Sequence, residues 1–171
     1  MARGSACRQT RGGAILVTVG MLAFCANFPI RVSAQDARGK YQAQYQAETD
    51  PVRKAKILGK LGSLEVHQAR ADLKAGEDEK SLGVLEHYRD EVRATVEALS
   101  ATGVNAERHP AGFKELQIGL RQTVRQLDDL IAAVTFDKRD WFQAVRSDLI
   151  GLQNSLINAL FPDRDKGRKG D

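Results

Sequence analysis

Cysteine and methionine are confined to the first 34 residues of this 171-residue chain, as Cys7, Cys25, Met1 and Met21. The chain beyond residue 34 therefore has no thiol nucleophile, disulfide, thiolate metal ligand or methionine-ligated haem. Acidic residues are missing from the first 34 residues, which hold Arg3, Arg8, Arg11 and Arg31. Those arginines account for the whole net charge of +4, since from Gln35 onward 22 basic residues face 22 acidic ones. A neutral remainder argues against a nucleic-acid binder. Long apolar runs are also scarce. Residues 14–26 (AILVTVGMLAFCA) would cover roughly 20 Å as a helix, short of a bilayer core of about 30 Å. Alternation with period two is missing beyond residue 34, which excludes a sheet of ordinary strands.

The first 34 residues have the layout of a secretory signal peptide: arginines, a short apolar run, then Val32-Ser33-Ala34 with small side chains where a signal peptidase reads. Cleavage is expected after Ala34, which leaves no membrane span in the mature chain. Leu22-Ala23-Phe24-Cys25 offers a competing reading, acylation at Cys25, against which Phe24 is the wrong size before the cysteine. An uncleaved anchor is the third alternative.

The remainder divides into four long amphipathic segments. Residues 35–49 form a polar, weakly helical lead-in whose Tyr41 and Tyr45 share a face at i,i+4. Asp50 as N-cap and Pro51 at the first helical position open helix one, which runs to about residue 75, where Gly76 supplies a left-handed stop. Helix two, residues 78–100, carries Leu82, Leu85, Arg89, Val92, Val96 and Leu99 on one stripe. After a loop at residues 104–109, Pro110 opens helix three, with Phe113, Leu116, Leu120, Val124, Leu127, Ile131 and Val134 in the same spacing. Helix four begins near Asp140, carries Phe142, Val145, Leu149, Leu152, Leu156 and Leu160, and stops at Phe161-Pro162. Residues 163–171 are too charged to fold and read as a disordered tail. The expected architecture is all-α: one domain over residues 50–162, an antiparallel up-down-up-down bundle of four long helices.

Residues 71–88 (ADLKAGEDEKSLGVLEHY), with Gly76 at the bend, Ser81 five residues on and Tyr88 in the second helix, resemble the turn of a tetratricopeptide hairpin. That likeness implies a crossing geometry for helices one and two. The RHPAGFKEL stretch at residues 108–116, a long helix, a short turn and a closing ALFP at residues 159–162 resemble a set of uncharacterised secreted bacterial helical proteins. This resemblance implies export and a helical fold, and carries no catalytic residue.

Histidine is the remaining candidate for site chemistry. His67 and His87 stand at equal height in a hairpin centred near Glu77, with Glu65 and Glu86 beside them, and could bridge a zinc or copper ion. His87, however, lies opposite the Leu85/Val92 stripe and should face water. His109 precedes Pro110 and is expected to help cap helix three. The carboxylates of Asp128-Asp129 and of residues 77–79 sit on polar faces or turns, where acid–base catalysis has no desolvated group to use. Arg89 occupies a core-facing slot; its stem should pack while the guanidinium meets an acid from helix three or four. No cofactor is implied. The expected function is that of an exported, non-enzymatic binding or structural module of the bacterial envelope, periplasmic or secreted, contacting another envelope protein or a second copy. Its expected partner surface is the second apolar edge of helices one and four: Val66, Leu73, Ile150, Ile157 and Phe161. The alternative is a small-ligand or metal carrier using His67, His87 or Arg89.

Overall fold

The computed structural model describes residues 31–162, with side chains from Gln35 onward. The expected apolar leader run, the acylation site at Cys25 and the charged tail at residues 163–171 lie outside the described residues, while residues 31–34 belong to the first helix. The described chain is all-helical: α1 (Arg31–Ala47), α2 (Pro51–Lys74), α3 (Asp78–Ala101), α4 (Phe113–Ile131) and α5 (Arg139–Leu160), with a 3-10 turn at Phe136–Lys138. No strand occurs among the described residues. No helix there is long and apolar enough to cross a membrane.

The four expected segments are α2 to α5, and their ends follow local chemistry. Asp50 caps α2, its carboxylate accepting from the Val52 N–H at 3.0 Å, and Pro51 follows at the first position. Gly76 leaves α2 with φ +78, a conformation that costs a side chain dearly. α4 begins three residues later than Pro110, because Gly112 takes φ +84 and breaks the first turn. The cap there comes from inside the helix, where the Glu115 carboxylate accepts the Gly112 N–H at 2.7 Å. His109 is exposed and takes no part in that cap.

α1 packs on α2, α2 on both α3 and α4, α3 on α5, and α4 on α5. In a simple up-down-up-down bundle the first and last long helices are neighbours, but α2 and α5 are not among these packed pairs; α2 meets α4 instead. The long connection after Ala101 lets the chain cross over before α4 begins, so sequential helices α3 and α4 are not a packed pair either. On α2, Gly59 meets Glu115 and Gly119, Gly62 meets Thr123, and Arg70 reaches the Gln126 carbonyl at 3.3 Å, so α2 and α4 run in the same direction. On α3, Asp78 pairs with Lys138, and Arg93 with Asp148, so α3 and α5 likewise run together.

Three glycines set the α2–α4 approach. A Cβ on Gly59 would lie 2.8 Å from the Glu115 carbonyl oxygen, and one on Gly119 would collide with the Gly59 backbone. Gly62 makes room for the Thr123 hydroxyl and the Tyr88 ring. Tyr88 is fully buried and donates to the Leu58 carbonyl at 3.3 Å; burial pushes its phenol far above the usual range. Around this contact Leu58, Leu61, Leu85, Leu116, Leu120, Leu127, Phe142 and Leu149 form the core.

Candidate functional site

Residues 35–49, read from the sequence as a polar lead-in, are helical to Ala47, pack on α2 and hydrogen-bond to α3. Tyr45 is buried and Tyr41 packs against the core. The Tyr45 hydroxyl donates to the Glu91 carbonyl at 3.2 Å and lies 3.1 Å from the Thr95 hydroxyl. Lys54 stands over the Tyr45 ring at 4.8 Å and Lys60 over Tyr41 at 5.9 Å, each an ammonium on the negative face of an aromatic. Burial holds the Tyr45 phenol above its usual range, partly opposed by Thr95.

Beside the two tyrosines, the contact beneath α1 is polar. Glu65 of α2 and Glu91 of α3 are buried at 1% and 8% exposure. Arg38 donates to Glu65 at 2.8 Å, while Gln42 at 2.6 Å and Gln46 at 3.0 Å both donate to one oxygen of Glu91. His87 lies 3.2 Å from that same oxygen. Desolvation raises the Glu65 pKa, Arg38 lowers it by less, and Glu91 adds to the rise. Arg38, Gln42 and Gln46 recur every four residues, so one face of α1 carries all three donors. A polar seam thus joins α1 to the hairpin.

This seam was not legible as a site, because acids on a helix ordinarily signal a solvated face. Glu65 entered the sequence reading only as a neighbour of His67 in a conceivable metal site that the position of His87 argued against. His67 is exposed and His87 is largely so, as its position opposite the apolar stripe implied. Among the described residues no group of three or more metal-ligating side chains comes together. Arg89 is mostly buried, with its guanidinium 2.9 Å from Asp90 and 3.6 Å from Asp148 of α5. Its stem packs while its head meets acids at the edge.

The expected partner residues do not form one surface. Val66 is 1% exposed and belongs to the core, which corrects its assignment to an open edge. Leu73 and Ile150 are partly buried against the core, and Ile157 is half-buried. Phe161 alone of the set is well exposed, at 60%. The sequence reading missed Phe136, 87% exposed in the α4–α5 connection, and Trp141, 54% exposed in the first turn of α5. Trp141 lines a shallow depression with Leu82, Glu86, Arg89 and Ala144 between α3 and α5. Neither residue fits the apolar stripe of its segment, and that misfit was the available signal. Comparison with known proteins yields no matching family model, no matching curated protein and no matching solved structure.

Proposed function

We propose that this chain is an exported, non-enzymatic helical module that binds another envelope protein or a second copy of itself. In this reading α2 to α5 form a four-helix bundle with an up-down-up-down course, and α1 is laid over its first hairpin. The observation that carries it is the exposure of Phe136 and Trp141 close together in the chain at one end of the fold. Large aromatics held out of a core of this size are the side chains that anchor protein interfaces. A non-enzymatic role is supported by the pairing of Arg89 with Asp90 and Asp148 and of Lys138 with Asp78. Export rests on the arginines, the short apolar run and the Val32-Ser33-Ala34 site.

A photo-crosslinker placed at position 136 in the exported protein tests the reading. The expected result is one discrete adduct, with a second copy or with a single envelope protein, that disappears in Trp141→Ala. Diffuse labelling, or an adduct indifferent to Trp141→Ala, would contradict it. Intact mass of the exported chain is expected to start at Gln35, and a diacylglyceryl-modified Cys25 would contradict the processing.

A further inference from the structure

The polar groups beneath α1 do not balance. Arg38 serves one oxygen of Glu65, while Gln42, Gln46 and His87 all converge on Oε1 of Glu91. Glu65 Oε1, Glu91 Oε2 and Gln42 Oε1 are buried and have no donor among the described residues. Buried acceptors are rarely left in this state, because losing water without gaining a donor is costly. The two carboxyls also lie close enough for the charge on Glu91 to disfavour a charge on Glu65. A proton on Glu65 Oε1 removes one buried charge and turns one unpartnered acceptor into a donor.

We propose that Glu65 is a proton-operated latch for α1, closed when its carboxyl holds a proton and loosened when that proton is lost. The charged and titratable groups facing Glu65 are Arg38 from α1 and His87 and Glu91 from α3. Beyond Glu65, the Tyr88 phenol and the Thr123 hydroxyl of α4 stay uncharged below the alkaline range. Arg38, which holds Glu65, belongs to α1, so lifting α1 opens the Glu65 carboxyl to water and returns it to ordinary acidity. Burial under α1 pushes the Glu65 carboxyl above that ordinary range. The docked form therefore binds the proton more tightly. Docking is strongest below the ordinary carboxylate range, and that contribution is lost as pH rises through the raised value.

Hydrogen exchange of the full chain at about pH 5 and about pH 8, corrected for intrinsic rates, reads the latch segment by segment. Protection of α1 amides is expected to be higher at the acidic pH. The gain is about tenfold for each pH unit by which docking displaces the titration. The α4 amides serve as the internal control and keep a constant protection. Glu65→Gln stays neutral and carries a donor, so α1 should be protected equally at both pH values. Equal protection of α1 in the unaltered chain would overturn the latch, as would a full pH effect persisting in Glu65→Gln or vanishing in His87→Gln alone. Should Glu65→Gln fail to fold, Arg38→Gln removes the cation bonded to Glu65 and is expected to move the loosening to higher pH. A midpoint unmoved by Arg38→Gln would also overturn the proposal.

Discussion

The α2–α3 hairpin has two covered faces built on opposite principles. Toward α4 the contact is a close backbone approach, in which Gly59 and Gly119 oppose each other with no room for a Cβ on either. Toward α1 the contact is made by Arg38, Gln42 and Gln46 on two buried carboxylates, with Tyr45 the buried aromatic. Dispersion and apolar burial reward the first face at any pH, whereas the second must offset the desolvation of charge. One interface specifies the fold. The other can be adjusted without dismantling it.

The most damaging way to break this contrast is Leu120→Ala, which removes a fully buried side chain of α4. It is expected to cost about 2–5 kcal/mol in chemical denaturation and to lower the melting of every helix together. Leu152, equally central on its sequence stripe, is only partly buried, so Leu152→Ala should cost clearly less than Leu120→Ala. Next, Gly119→Ala sharpens the comparison at the backbone. Alanine favours a helix over glycine by up to about 1 kcal/mol, but the added methyl meets the Gly59 backbone, which cannot move aside as a side chain could. A net loss of about 1–3 kcal/mol is expected from thermal melts.

On the α1 side, Tyr45→Phe removes hydrogen bonds to Glu91 and Thr95 while keeping the ring. It should cost about 0.5–1.5 kcal/mol, seen as faster exchange confined to α1. Smaller still, Gly83→Ala on α3 has open space around the new methyl and is expected to stabilise by about 0.5–1 kcal/mol, opposite in sign to Gly119→Ala. The opposite signs separate packing from propensity. Last, His87→Ala should change stability by no more than about 0.5 kcal/mol, since most of the ring faces solvent.

The sequence was informative wherever one side of a helix is apolar and one is not. The spacing of Leu116, Leu120, Val124 and Leu127 placed α4, and Asp50-Pro51 and Gly76 placed the ends of α2. Periodicity says that a helix has a buried face without saying which helix covers it. Hence the expected neighbours of α2 were wrong in one respect, and Val66 was assigned to an open edge although it is buried. The missing information lay in Gly59, Gly62 and Gly119, residues that cost stability inside helices unless another backbone comes close. The α1 contact was hidden for a different reason. Its face of Arg38, Gln42 and Gln46 reads as solvated, and only Tyr41 and Tyr45, which share a face at i,i+4, hinted at a packed side.

Native-state hydrogen exchange of the intact chain under increasing urea measures the inequality of the two faces most directly. Amides of α1 are expected to exchange through an opening of lower free energy and smaller urea dependence than those of α2 and α4, which open only with the whole fold. Exchange of α1, α2 and α4 at one common free energy, with one common urea dependence, would contradict the division of the hairpin into a fixed face and an adjustable one.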